Sequence, residues 1–192
     1  PVLRAGTAGG TIPPMPARAA LVCSSEYECD IGPHVFPVEK FRGVRQALIG
    51  SGHAAETDIL EPGPAPRADL LLVHTPEYLD DLDALRWTRR TRTSELPLSA
   101  AIVRAYVLAA GGTTRAARAA LSDGMGVHIG GGFHHAFADL AEGFCYINDL
   151  AVAARVLQRD RAIERAAVVD CDVHQGNGTA RVFRDDPSVF TF

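Results

Sequence analysis

The sequence predicts an α/β fold of three layers, in which helices cover both faces of a parallel sheet. Short apolar runs alternate along the chain with longer segments of helical periodicity. Strands that are apolar throughout are buried on both faces, and the helices between them supply the crossovers that parallel pairing requires. With 192 residues, 47% of them hydrophobic, the chain can form one domain with a substantial core.

The predicted elements follow in order along the chain. Buried strands are predicted at 19–23, 125–129, 166–173 and 188–190. Helices are predicted at 38–50, at 75–87 with Thr75 as N-cap and Pro76 in the first turn, at 98–121, at 149–160 and at 178–186. Gly111 and Gly112 leave open whether 98–121 is one helix or two. Asn148 or Asp149 caps the fourth helix, Asn177 caps the fifth, and the segment 61–67 is a loop.

Composition and charge exclude several classes of protein. The net charge is −4, with no basic stripe of the kind that nucleic-acid binding requires, and no apolar run reaches the length of a membrane span.

Residues 1–18 are rich in Gly, Pro, Ala and Thr and predict a flexible N-terminal arm, which leaves 19–192 as the domain. The four cysteines form no C-x-x-C pair, which favours a reducing, cytoplasmic location. The chain stops in strand-like residues, so we expect it to be a fragment of a longer protein.

The segment VVDCDVHQGNGT (168–179) carries the strongest chemical signal. On an extended chain Asp170, Asp172 and His174 point the same way, at the carboxyl end of a buried strand where open α/β sheets bind ligands. Two carboxylates facing each other need a cation or hydrogen-bond donors, and oxygen together with imidazole nitrogen suits Zn²⁺. The alternative is that one aspartate caps the next helix and that the histidine belongs to the core. Cys171 lies between the aspartates and is predicted to face the core.

The segment GGGFHH (130–135) is the second signal. Glycines permit positive φ and a close approach of the backbone to a ligand. His134 and His135 can supply a general base and a second proton-transfer or electrostatic group near neutral pH, unless one of them is structural. Cys145 as a nucleophile would leave the aspartates unexplained, so we predict that it is a core residue.

Four further positions have weaker signals. Phe144 and Tyr146 are either packing residues or walls of the site. His128 lies within a predicted strand, which favours a core histidine, and His34 is a candidate for a loop at the cleft entrance.

In combination these residues resemble the histone deacetylase superfamily, from about residue 19 to the end of the chain. The matching segments are HVFPVEKF (34–41), LLVHTPEYL (71–79), GGT (111–113), GGGFHH (130–135), GFCYIND (143–149) and DCDVHQGNGT (170–179). The FHH and DVHQGNG forms are most similar to class IV and bacterial class IV-like members.

The resemblance implies an arginase/deacetylase-type fold and a set of roles. Asp172 and His174 would be zinc ligands, and Asp170 an outer carboxylate bonded to His134, with K⁺ bound at this strand end. His134 and His135 would be the paired catalytic histidines. Gly143 and Phe144 would contact the acyl-lysine amide and form the wall of the substrate tunnel.

Two departures from the family pattern bear on function. Gln175 stands where many members have a second histidine, and Asn177 where many have the aspartate that orients the second catalytic histidine, which leaves the division of acid and base roles open. In the family, a third zinc ligand (an aspartate) and a tyrosine that polarises the substrate carbonyl lie further along than residue 192.

Three functions follow as hypotheses. The first is a zinc-dependent amidohydrolase that removes an acyl group from acyl-lysine or a related acylated amine. The second is a catalytically incomplete fragment that acts only as a binding or assembly module. A binuclear manganese ureohydrolase is the third, but its D-x-H-x-D pattern requires an aspartate where this chain has Gly176.

Overall fold

The computed structural model describes residues 19–192, so the predicted arm at 1–18 lies outside the described residues. The strands of this part of the chain are β1 (Ala20–Cys23), β2 (Ile59–Leu60), β3 (Gly126–Ile129), β4 (Ala166–Val168) and β5 (Val189–Thr191). Its α-helices are α1 (Lys40–Gly50), α2 (Arg67–Leu70), α3 (Pro76–Asp83), α4 (Ala100–Asp123), α5 (Asp149–Arg159) and α6 (Asn177–Val182). Short 3-10 turns lie at Ser25–Tyr27, Glu56–Asp58 and Arg92–Ser94.

All strand pairs of residues 19–192 are parallel, as predicted. β1 lies between β2 and β3, with Leu21 opposite both Ile59 and Val127. β4 pairs with β5 in a separate two-stranded piece, where Ala166 lies opposite Val189. The predicted strands at 19–23, 125–129 and 188–190 are confirmed to within one residue. No pattern in the sequence predicts β2, which has only two residues.

The predicted strand at 166–173 is wrong in its second half, because β4 ends at Val168. The Asp170 N–H still donates to the Phe192 carbonyl (2.8 Å). Beyond it the side chains satisfy the backbone instead: Asp170 accepts the Asp172 N–H at 3.0 Å, and Asp172 accepts the His174 N–H at 2.8 Å. Aspartate commonly forms such local bonds, which compete with a strand ladder.

Helix α4 is one continuous helix of 24 residues, so Gly111 and Gly112 do not divide it. Their role is close packing. A Cβ at Gly111 would lie 1.9 Å from the Gly63 carbonyl oxygen, and one at Gly112 would lie 2.4 Å from His128 Nε2. The glycines therefore let α4 approach the loop before α2 and the strand β3.

Side-chain caps begin three helices. Thr75 accepts the Tyr78 N–H and starts α3, Ser99 accepts the Ile102 N–H and starts α4, and Asn148 accepts the Ala151 N–H and starts α5. Helix α3 ends at Asp83, earlier than predicted. The predicted cap of the last helix is wrong, because Gly176 is the N-cap of α6 and the Asn177 side chain turns towards His135.

The core forms where α4 packs against α5 and the surrounding loops. Tyr146 is fully buried there, which makes it a packing residue. Its hydroxyl donates to the Leu96 carbonyl (2.9 Å), and its own carbonyl accepts the Tyr78 hydroxyl (2.7 Å). None of the helices within 19–192 has the length and apolar character needed to cross a membrane.

Candidate active site

A cleft of about 720 Å³ gathers most of the predicted site residues. His134, His135, Gly143, Phe144, Asp170, Asp172 and His174 all line it, together with Phe36, Lys40, Phe41 and Glu95. The eighth predicted residue, Asn177, is held against His135. The cleft lies where the chain leaves β3 and β4, so the carboxyl ends of two strands bring its polar residues together.

His134 is held by Asp170. The two are 36 residues apart, and His134 Nδ1 lies 2.5 Å from Asp170 Oδ2. The His134 side chain is only 8% exposed. Burial by itself raises the pKa of Asp170, but the hydrogen bonds from the Asp172 N–H and from His134 outweigh it, so the pKa lies below its usual value. A charged acceptor therefore faces the inner nitrogen of His134.

His135 is held by Asn177, a neutral acceptor. His135 Nδ1 lies 2.7 Å from Asn177 Oδ1. The outer nitrogens of the two histidines converge, because His134 Nε2 and His135 Nε2 are 3.2 Å apart. The pair thus presents two Nε2 atoms to the cleft, each anchored from behind through Nδ1.

Asp172 and His174 form a more exposed pair at the same cleft. His174 Nδ1 lies 2.9 Å from Asp172 Oδ1, and the two side chains are 72% and 51% exposed. Hydrogen bonds from the N–H and the ring of His174 lower the pKa of Asp172. Within residues 19–192, no three His, Cys, Asp or Glu side chains are grouped so that they could hold a metal ion.

The prediction that Cys171 faces the core is wrong. It lines the cleft and is exposed, because residues 169–174 have left the strand ladder and no longer alternate between two faces. Cys145, by contrast, is buried, which raises the pKa of its thiol to about 12. A thiol with that pKa remains protonated at neutral pH, so Cys145 is a packing residue, as predicted.

Gly143 and Phe144 form one wall of the cleft. Both have positive φ, 52° and 64°, in a tight turn that the Glu142–Cys145 bridge closes. A Cβ at Gly143 would lie 2.4 Å from His135 Cδ2, so glycine is required for the wall to pack against the histidine. The His34 ring stacks edge-on against Phe144 at 4.8 Å between centroids, so it supports the wall residue without lining the cleft itself.

The glycine run has a second role besides the predicted one, in which Gly131 and Gly132 line the cleft. Gly130 and Gly132 have the positive φ expected of them, 141° and 94°. The missing Cβ of Gly131 faces inwards, however, where it would lie 2.5 Å from the buried Asp149 Oδ2 and 2.6 Å from His128 Nδ1. The run therefore packs over a polar cluster behind the cleft.

This polar cluster consists of Tyr27, Thr113, His128 and Asp149. The Thr113 hydroxyl donates to Asp149 Oδ2 and lies 2.8 Å from His128 Nδ1. Since its one proton points to the carboxylate, Thr113 accepts from His128 Nδ1–H, and His128 Nε2 accepts the Tyr27 hydroxyl at 2.7 Å. Burial lowers the pKa of His128 and raises that of Tyr27, which keeps both neutral in these roles. His128 is thus a partnered interior histidine.

Sequence reasoning missed two carboxylates near the paired histidines, Glu142 and Asp149. Glu142 Oε1 accepts the Asn177 Nδ2–H at 2.6 Å. Asp149 is fully buried and accepts the N–H groups of Gly132 and Phe133. Asp149 directly follows a helix cap, where acidic residues are common. That position is enough to explain an aspartate, so nothing in the sequence indicates its contact with the glycine run.

The cleft and its paired histidines define the class of protein. The structure aligns with that of an HDAC homolog from Aquifex aeolicus with a TM-score of 0.75 and 27% sequence identity, covering 91% of this chain and 50% of that one. The fold is the α/β fold of the arginase/deacetylase type, as the sequence predicts.

Sequence comparison places the chain within that class. Residues 34–192 match the Histone deacetylase domain, and the chain belongs to this family. It is 42% identical over 160 residues to an uncharacterized protein of Picosynechococcus sp., covering 83% of this chain and 53% of that protein. It is 32% identical over 186 residues to Histone deacetylase 2 of Arabidopsis thaliana, covering 91% and 48% respectively. The chain spans about half the length of these curated relatives.

Proposed function

We propose that the protein to which this chain belongs is a zinc-dependent deacetylase that hydrolyses the amide of acyl-lysine or a related acylated amine. One observation carries the proposal: His134 Nε2 and His135 Nε2 lie 3.2 Å apart at the cleft, while Asp170 and Asn177 hold their Nδ1 atoms. Amide hydrolysis requires a proton to leave water and another to reach the departing amine, and an imidazole pair can perform both transfers.

The two acceptors divide the roles of the histidines. Asp170 is charged, so it stabilises positive charge on His134. Asn177 is neutral, and its Oδ1 accepts the Nδ1–H of His135, which leaves a lone pair on His135 Nε2. His135 therefore takes the proton of the attacking water, while His134 supplies positive charge next to it. The histidine pair then returns a proton to the leaving amine.

Asp172 and His174 fit a zinc ion. Their donor atoms Oδ1 and Nδ1 are 2.9 Å apart, so both can lie at the roughly 2.0–2.2 Å that zinc ligands adopt around one ion. When bound, zinc polarises the substrate carbonyl and promotes ionisation of water. Catalytic zinc sites use three protein ligands, so Asp172 and His174 by themselves do not make a complete catalytic site. A K⁺ ion at the Asp170/Asp172/His174 strand end remains a prediction.

The wall of the cleft suits an acylated aliphatic amine. Phe144 and Phe36 line it with ring centroids 6.0 Å apart, and Gly143 keeps the backbone close to His135. An aliphatic stem packs favourably along aromatic side chains such as these, while the amide reaches the histidines. Gly143 and Phe144 are therefore the substrate-contacting residues in this proposal.

Two variants of the full-length protein test the function, His134→Ala and Asp172→Ala. Both should abolish hydrolysis of an acetyl-lysine peptide, and Asp172→Ala should also lower the zinc content measured by metal analysis. Asp123→Asn, an exposed residue at the end of α4, is the control. Turnover that survives either alanine variant would contradict the proposal. A full-length protein that binds no zinc and hydrolyses no acylated amine would support the binding or assembly module instead.

A further inference from the structure

Glu142 is the one carboxylate within 19–192 that contacts the acceptor of His135. Asn177 Nδ2 donates to Glu142 Oε1 at 2.6 Å, and Asn177 Oδ1 lies 2.7 Å from His135 Nδ1. The three side chains form a continuous line of hydrogen bonds from the carboxylate to the imidazole. Glu142 and Asn177 are 35 residues apart in sequence, and only the fold brings them together.

The orientation of the Asn177 amide follows from its neighbours. Its Oδ1 also accepts the Gly178 N–H at 3.0 Å, so this atom faces two N–H donors. If the amide were flipped, its NH₂ group would face the Gly178 N–H, donor against donor, and its oxygen would face the Glu142 carboxylate, acceptor against acceptor. The Gly178 N–H and Glu142 together determine which way Asn177 points, and Asn177 determines that the Nδ1 atom of His135 carries the proton.

Glu142 is itself held in place. Its N–H donates to the Cys145 carbonyl at 3.2 Å and its carbonyl accepts the Cys145 N–H at 2.8 Å, which closes the turn of Gly143 and Phe144. The residue is also partly buried. A short, closed turn and partial burial restrict where the carboxylate can move, so the hydrogen bond to Asn177 costs little conformational entropy.

We propose that Glu142 is a positioning residue for His135 that acts through Asn177 and supplies the negative charge which Asn177 lacks. This inference rests on the proposed function. His134 has its carboxylate in direct contact, whereas His135 has its carboxylate one side chain further away. The weaker, relayed charge still orients the imidazole and keeps Nε2 free to accept a proton.

The arrangement predicts what happens when the negative charge is moved from residue 142 to residue 177. Asn177→Asp alone would place a second carboxylate against Glu142, where the atoms now lie 2.6 Å apart, and the repulsion would displace one of them. Glu142→Gln alone would keep a side chain of the same size but remove the charge. In the double variant Glu142→Gln/Asn177→Asp, residue 142 would donate the hydrogen bond and residue 177 would accept it. The negative charge of the carboxylate would then contact His135 Nδ1 directly.

Steady-state kinetics of the full-length protein on an acetyl-lysine peptide test this relay. Glu142→Gln should lower kcat about tenfold with KM unchanged, the size of effect typical of residues that orient a ligand or catalytic group. The double variant should recover at least wild-type kcat, although Asn177→Asp alone should be slower than wild type. Glu164→Gln, an exposed residue before β4, carries the same charge change as a control.

The result that would overturn the relay is additivity, in which the double variant loses the sum of both single losses. A Glu142→Gln variant with unchanged kcat would also overturn it. Nitrogen-15 NMR of the histidine rings gives a readout that needs no turnover: the Nδ1–H signal of His135 should be present in wild type and weakened by Glu142→Gln. If wild type hydrolyses no acylated amine but this signal behaves as expected, the proposed function fails and the positioning contact stands.

Discussion

The Asp149 carboxylate accepts the Phe133 N–H at 2.7 Å, and this bond joins the start of α5 to the segment that carries the paired histidines. Asp149 is fully buried and also accepts the Gly132 N–H and the Thr113 hydroxyl. Buried carboxylates are stable only when donors surround them. The backbone immediately before His134 is therefore anchored to the interior rather than to the cleft.

Replacing this carboxylate with an amide should loosen the segment. Asp149→Asn keeps the size of the side chain, but its NH₂ group would face one of the donors that now point at Asp149. We expect a loss of about 3 kcal/mol in the free energy of unfolding, since an unsatisfied buried group costs 1–3 kcal/mol and more when a charge is involved. Chemical denaturation measures this loss, and amide exchange should accelerate at Gly132 and Phe133.

The matched control is Asp123→Asn, which makes the same chemical change on an exposed residue and should leave stability within about 0.5 kcal/mol. If Asp149→Asn unfolds at the same denaturant concentration as wild type, the anchoring role of Asp149 is wrong.

The wall residue Gly143 should not tolerate a side chain. Gly143→Ala adds a Cβ 2.4 Å from His135 Cδ2 at a φ of 52°, so it combines backbone strain with displacement of His135. Gly32→Ala is a matched comparison, because Gly32 has a φ of 69° and open space where a Cβ would lie. Each variant should lose about 1 kcal/mol of stability through backbone strain.

Only Gly143→Ala should in addition lower kcat/KM of the full-length protein. The expected loss is about 100-fold, the effect of moving a catalytic group by an ångström. Equal kinetics in the two variants would show that Gly143 does not position His135.

His74 should make stability depend on pH. It is buried, and its Nε2 accepts the Asn148 N–H at 3.1 Å, at the point where α5 begins. Burial lowers its pKa from 6.5 to about 4. Between these values the unfolded chain binds a proton that the folded chain does not, so stability falls as pH drops from about 6.5 to about 4 and is fully present above 6.5.

The total effect corresponds to about 3 kcal/mol, because one pKa unit is worth about 1.4 kcal/mol. His74→Gln retains an acceptor for the Asn148 N–H but does not titrate. Denaturation curves of the two proteins across this pH range should converge as pH falls, since wild type loses an advantage that the variant never has. Parallel curves would mean that His74 does not remain neutral in the folded state.

Much of the candidate site could be predicted from local patterns. The segments 130–135 and 170–177 combine apolar strands with polar residues just beyond them, and the carboxyl ends of β3 and β4 open on the same cleft although the two strands belong to separate sheets. The cap at Thr75 and the core position of Cys145 are likewise local matters of hydrogen bonding and hydrophobicity. The exposure of Cys171 could not be predicted, because strand alternation stops when aspartate side chains bind the backbone.

The sequence alone determined the fold class, the glycine-histidine segment and the identity of the residues that meet at the cleft. The α/β class, the paired histidines and the residues Asp170, Asp172 and His174 follow from periodicity and from polar residues placed after buried strands. The site roles of Gly143, Phe144 and Asn177 came only from the resemblance to the histone deacetylase superfamily. The family resemblance implied Asp170 behind His134 and Asn177 behind His135, and both contacts are present in the structure. Only the tertiary structure decided that Glu142 stands behind Asn177. Such pairings join residues 35 or more positions apart, and their distances depend on how whole elements pack, which no local pattern encodes.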